Sequence, residues 1–84
     1  MVMNGRLSMK ILTEKYISQE IINAQIEKIY RCITPDENAL RAGYRLELQG
    51  MLKLYFKMFG MEEFLEDMYV KHPWMEQLDY GNER

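Results

Sequence analysis

Residues that carry chemistry are scarce in this chain. It has one cysteine, one histidine and two prolines. A lone Cys32 cannot close an intrachain disulfide, and one Cys with one His cannot supply a tetrahedral zinc site. A disulfide-stapled secreted scaffold is thereby excluded. Long apolar runs are missing too. The most apolar stretch, Met51 to Phe59, is broken by Lys53 and Lys57 and falls well short of the ~20 residues of a membrane span. The opening Met1-Val2-Met3-Asn4-Gly5-Arg6 is too polar for the apolar region of a signal peptide. Together with a free thiol, this makes a cytoplasmic location, away from any membrane, the expectation. No glycine-rich turn precedes a helix, because Gly43 and Gly50 stand alone, so a phosphate-binding loop is absent from the sequence pattern.

The chain has an ordinary globular balance. Its 84 residues are 48% hydrophobic and 29% charged, with a formal charge of −2, which is too apolar for intrinsic disorder. That length makes one domain with a single modest core, burying about 60% of the unfolded surface.

Periodicity predicts an all-α fold of three helices with a long central one, plus a short fourth turn or helix. Ser18 reads as the N-cap of a helix over 18–33, with Glu20 in its first turn and Ile17 and Ile22 spaced as a hydrophobic staple. Ile22, Ile26, Ile29 and Ile33 form its apolar stripe, widened by Ile21 and Cys32, while Glu27 and Arg31 make an i,i+4 pair on the far side. Thr34-Pro35-Asp36-Glu37 opens a second helix over 35–59 with a capping Thr, a Pro at the first helical position and a Glu at the third. Its stripe is Leu40, Tyr44, Leu48, Met51, Leu52, Tyr55, Met58 and Phe59, and Gly60 suits a left-handed cap. A third helix over 61–71 buries Met61, Phe64, Leu65, Met68 and Tyr69 and ends before Pro73. Residues 73–80 read as one more turn or two. Residues 1–17 read as an extended or helical arm, since the alternation of Leu7, Met9 and Ile11 has no partner strand.

Catalytic constellations are weak. Cys32 and His72 are 40 positions apart, with no orienting carboxylate beside either. A thiol on the apolar side of a helix is a core atom, and a histidine before a proline closes or caps a helix. Glu63-x-x-Glu66 and Glu76-x-x-Asp79 resemble the E-x-x-E and E-x-x-D pairs of all-α nucleotide pyrophosphohydrolases, which implies magnesium held between antiparallel helices and hydrolysis of a nucleotide. Only nine residues, Pro73 among them, separate the two pairs, so two facing helices with a loop between them barely fit. The solvated face of an amphipathic helix, Glu62, Glu63, Glu66 and Asp67, accounts for the same residues. No cofactor or metal is expected and enzyme is the weakest class.

Nucleic acid is the stronger alternative. Residues 1–60 carry a charge of +3 and residues 61–84 a charge of −5. Arg41, Arg45, Lys53 and Lys57 are separated by multiples of four, with tyrosines interleaved. Each step of four drifts about 40° around a helix, so Arg41 and Lys57 end about 160° apart and the four make no single stripe.

The most specific signal is a second face on the long helix: Ala39, Gly43, Leu46, Gly50 and Leu54. Each interior glycine costs roughly 1 kcal/mol relative to alanine, and close approach of another helix is the usual compensation. That neighbour is either another helix of the same chain or a second molecule. Met51, Met58, Met61, Met68 and Met75 recur mostly every seven residues, either as core or as a pliable binding surface. Tyr55, Phe56, Phe59, Phe64, Tyr69, Trp74 and Tyr80 crowd the same half, more aromatic surface than so small a domain easily hides. The run Arg45-Leu46-Glu47-Leu48-Gln49-Gly50-Met51-Leu52 resembles helical stretches of small phage-encoded proteins. The expectation is a non-enzymatic protein–protein interaction module that forms a homodimer and acts as an accessory or inhibitor of a host machine. Glu62, Glu63, Glu66, Asp67 and Trp74 would then meet the protein partner, in a basic groove.

Overall fold

The computed structural model describes residues 2–78. They are all-α, with no strand among them: α1 is Val2–Arg31, α2 is Asn38–Phe59 and α3 is Glu63–Lys71. A 3₁₀ turn at Pro35–Glu37 leads into α2, and another at Pro73–Gln77 follows α3. Among the described residues no helix is long and apolar enough to cross a membrane. Asp79, Tyr80 and Gly81, which belong to the expected last turn and end, lie outside the described residues.

The first helix begins well before Ser18, so the expected cap there is corrected. No proline interrupts Val2–Arg31, and the Ser18 hydroxyl donates to the Glu14 carbonyl at 2.8 Å. That is the back-bond of an interior serine one turn along a continuous helix. The arm is therefore helical and continuous with α1. Ile17 is half-exposed and makes no staple. At the other end α1 stops at Arg31, which leaves Ile33 81% exposed in the connection. Cys32, at 4%, takes the buried place instead.

The Thr34–Glu37 signal does open the second helical segment, but its first turn is 3₁₀ and the α-helix proper starts at Asn38 rather than Pro35. Both the Thr34 backbone N–H and its hydroxyl donate to Glu37 Oε1, at 3.2 and 2.6 Å. Those bonds to Thr34 hold the Glu37 carboxyl below its ordinary range. Gly60 ends α2 at φ 76° and ψ −176°. This positive-φ, extended region is essentially closed to residues with a Cβ; it differs from the left-handed helical cap the sequence predicts. Glu62 is extended, at φ −120° and ψ 167°, so α3 starts two residues later than expected and Met61 stays outside it. His72 closes α3 through its N–H to the Met68 carbonyl (2.8 Å), and its own carbonyl accepts from Met75 N–H (2.9 Å).

Two cross-helix contacts fix the packing register. Lys15 of α1 meets Glu62 just beyond the end of α2, while Gln25 meets Tyr44 near its start. The helices are therefore antiparallel. Ile22, Ile26 and Ile29 of α1 pack against Leu48, Leu52 and Tyr55 of α2 and Leu65 and Met68 of α3, with Met75 closing the base. Each such fully buried side chain contributes about 1.5–3 kcal/mol. Gln25 is 2% exposed within this core, and its Nε2 donates to the Tyr44 carbonyl at 2.9 Å. Among the described residues, the rings expected to crowd the surface of this half are partly buried instead. Phe56, Phe59, Phe64, Tyr69 and Trp74 all pack against the core.

Candidate functional site

Two faces stand out among the described residues. The first is the outer face of α2. Ala39 and Gly50 are exposed, Gly43 half-buried, Leu46 is 68% and Leu54 59% exposed. A Cβ built on Gly43 or Gly50 would meet nothing within 4 Å. Neither α1 nor α3 covers this face, so the reading in which helices of the same chain occupy both sides of α2 is corrected. The reason is geometric. Leu48 and Leu52 carry the buried side of α2, and Gly50 lies between them, on the opposite side of the turn. Leu54 and Met58 continue the face to the edge of α1, where Ser18, Ile21 and Ile22 join Met51 and Tyr55 of α2 in a shallow apolar groove of about 120 Å³. Ile17, Ile21 and Met58 stand roughly half-exposed around it.

The second is a groove of about 450 Å³ where α1 ends and α2 begins, lined by Tyr30, Cys32, Ile33, Arg41, Arg45 and Trp74 among others. Trp74 Nε1 donates to the Tyr30 hydroxyl at 2.8 Å, and that hydroxyl lies 2.7 Å from His72 Nδ1. The hydroxyl accepts from the indole and keeps its own proton, so it donates to His72 Nδ1 in one imidazole tautomer and accepts from it in the other. This bond suits a neutral imidazole, and burial, aided by the Lys71 charge and opposed by Asp67, holds the His72 pKa below its ordinary value. The Arg45 guanidinium stacks over the Trp74 ring at 4.8 Å. Arg41 ties the end of α1 to α2 through Nη1 to the Cys32 carbonyl (2.8 Å) and Nη2 to Asn38 Oδ1 (2.5 Å).

The residues expected to bind nucleic acid are therefore split. Arg41 and Arg45 turn into the groove, whereas Lys53 and Lys57 are exposed elsewhere on α2. The expected acidic partner face is split as well. Glu63, Glu66 and Asp67 are exposed, Asp67 paired with Lys71 at 3.0 Å. Glu62 is consumed within the fold: it pairs with Lys15 at 2.6 Å and accepts the Tyr55 hydroxyl, which also accepts from Gln19 at 3.0 Å. The Lys15 bond and then the Tyr55 bond hold the Glu62 carboxyl below its ordinary range, and burial pushes the Tyr55 phenol up to about 12. Trp74 is half-buried in the second groove rather than standing beside the carboxylates.

Cys32 is buried, its thiol directed at the Lys28 carbonyl (3.4 Å), and His72 is engaged by Tyr30 instead. Among the described residues no cluster of His, Cys, Asp or Glu is arranged to hold a metal ion. Glu76 of the second carboxylate pair is exposed and Asp79 lies outside the described residues. Of the methionines, Met68 and Met75 are core, while Met58 and Met61 are surface. Tyr30 and Ile17 were not legible as site residues, since no local spacing brings Tyr30 to Trp74, 44 positions away.

Comparison of the chain with protein-family models, curated proteins and solved structures finds no match.

Proposed function

We propose that the chain is a helical protein–protein interaction module that pairs with a second copy of itself through the outer face of α2. The observation that carries this is the run of exposed large apolar side chains, Leu46, Leu54, Met58, Ile21 and Ile17, around two glycines at which an added Cβ would meet nothing within 4 Å. Contiguous apolar surface of this kind marks an interaction site more often than scattered single residues do.

The pattern is self-complementary. Leu46 and Leu54 lie four residues on either side of Gly50. A two-fold axis at Gly50 with antiparallel α2 helices sets each leucine beside the other leucine of the partner copy, as an isologous contact requires. The facing glycines permit an interaxial distance in the lower part of the 8–10 Å range. From Ala39 to Met58 the face spans about 28 Å of helix, and Ile17 and Ile21 of α1 widen it. The exposed carboxylates Glu63 and Glu66 lie on α3, away from this contact, and are available to a basic protein such as a component of a host machine.

Sedimentation equilibrium over a range of concentrations tests the pairing. The wild type is expected to dimerise. Leu46→Glu with Leu54→Glu is expected to be monomeric yet equally helical, since both leucines are exposed in the single chain. A wild type that remains monomeric at the highest concentration reached overturns the proposal.

A further inference from the structure

We propose that the groove at the α1–α2 connection binds a phosphate monoester through Arg41 and Arg45. The two guanidiniums sit one helical turn apart on the same wall of the groove. Arg41 commits only two of its five donors, both to neutral acceptors, the Cys32 carbonyl and Asn38 Oδ1. Arg45 has neither a hydrogen bond nor an ion pair among the described residues, and its Nε is shut off from solvent without an acceptor. Among the described residues its guanidinium lies against the Trp74 face. Glu37 is within electrostatic reach of Arg41, but its Oε1 is held by Thr34.

Two adjacent cations with idle donors match a ligand that carries close to two negative charges on one atom group. A phosphate monoester near neutral pH carries about −1.5 to −2 and offers three acceptor oxygens in reach of planar guanidinium forks. A single carboxylate matches only one of them. Trp74 holds Arg45 by stacking, and Trp74 is itself anchored by its bond to Tyr30. The Arg45 fork is thus positioned before any ligand arrives, which reduces the ordering cost of binding. The exposed Ile33 and the half-exposed Tyr30 ring supply an apolar wall for the body that bears the phosphate. The groove is of the size that small-molecule sites occupy. This inference is independent of the pairing through α2, whose outer face points the other way.

Trp74 is the only tryptophan in the chain, so its fluorescence, with the Arg45 Nε–H resonance in NMR as a second readout, reports on the groove. The wild-type chain is titrated with ribose 5-phosphate, inorganic phosphate and ribose. Saturable change is expected with the two phosphates and none with ribose. Equal affinity for both phosphates identifies the phosphate group alone as the ligand; tighter ribose 5-phosphate binding adds the apolar wall. Arg45→Met, checked for wild-type helicity, is expected to weaken binding about tenfold or more, and Arg41→Met to act in the same direction. Lys57→Met is expected to leave affinity within about twofold. Absence of saturation with either phosphate, equal response to ribose, or a folded Arg45→Met with unchanged affinity overturns the proposal. Should Arg45→Met not fold, an unmoved Arg45 Nε–H resonance in the wild type overturns it alone. A short DNA duplex that binds more tightly, and loses affinity as much from Lys53→Met as from Arg45→Met, reassigns the cations to nucleic-acid backbone and likewise overturns it.

Discussion

One substitution, glycine to alanine, is expected to have opposite signs at different places in this chain. At Gly50 an added methyl meets nothing within 4 Å, and the residue sits in the interior of α2. The substitution therefore removes unfolded-state freedom without a clash, and the single chain is expected to gain about 1 kcal/mol. Gly43→Ala is expected to gain a similar amount, because it is also interior and unobstructed. The two positions are seven residues, or about 10 Å, apart, so their effects should add to about 2 kcal/mol. For a domain of this size 1 kcal/mol moves Tm by roughly 4–8 °C. At Gly60 the space is equally open, but φ is +76° with ψ near 180°, and an L residue held there costs about 1–3 kcal/mol. Gly60→Ala is therefore expected to lower Tm. The assay is thermal melting followed by circular dichroism at the lowest workable concentration, repeated at higher ones. If α2 pairs across Gly50, the Gly50→Ala chain should show less rise of Tm with concentration than the wild type, while its dilute-limit Tm is higher. A dilute-limit Tm that falls in Gly50→Ala would refute the open face, because it would mean that a neighbour in the same chain already fills that space.

Other expectations are simpler. Ile22→Ala, at 2% exposure in the core, should cost about 2–5 kcal/mol in urea unfolding. Gln25→Leu should fall within about 1 kcal/mol of neutral, since a similarly sized apolar side chain removes the buried donor and the Tyr44 carbonyl still accepts its helical bond within α2. Tyr55→Phe should cost about 1–3 kcal/mol, because the hydroxyl joins Gln19 to the Glu62 carboxylate. Because the Tyr55 pKa is raised to about 12, the native chain holds that proton while the unfolded chain loses it above about 10. Stability is then lost as pH rises from about 10, and a phenol titration should show one tyrosine ionising late. The His72 pKa is lowered by burial and the Lys71 charge, so the unfolded chain takes up the proton first. Stability is full above about 6.5 and declines as pH falls below it; His72→Asn should flatten that decline in Tm.

The sequence made the helices legible where local chemistry decides them. Thr34-Pro35-Asp36-Glu37 and Pro73 mark boundaries through bonds and clashes between near neighbours, and the structure honours both. Ser18 misled because its hydroxyl has two local options. It caps a helix when the chain before it is not helical, and it back-bonds to Glu14 when it is. The residues before it contain no proline to forbid the second option. The same limit hid the role of Glu62. Its spacing with Glu63, Glu66 and Asp67 is that of a solvated helix face, yet the chain turns at Gly60, and the extended Glu62 swings back toward Lys15, 47 positions earlier. A pattern along one helix reports which side chains share a face, and only the packing decides whether water or another helix lies over it.

That distinction also explains why the glycine face and the arginines exchanged roles. Glycines in a helix interior suggested close approach, and the fold leaves them open. Arginines at multiples of four suggested a solvated flank, and the fold turns Arg41 and Arg45 into a groove with an indole against one of them. Both outcomes follow from where α1 lies. It crosses α2 on the side of Leu48 and Leu52 and ends beside Arg41, so the connection at Cys32 to Thr34 needs a donor for its carbonyl. Arg41 is the nearest long donor one turn into α2, and Arg45, one turn further, is drawn under the Trp74 brought in by the Pro73 turn. Among the described residues the opposite side of α2 receives no helix, because α3 is only nine residues long and packs through Leu65 and Met68 onto the same core. One long α-hairpin and one short helix do not by themselves surround α2. The uncovered side is therefore a consequence of helix length, and the apolar residues retained on it are what make pairing the economical explanation.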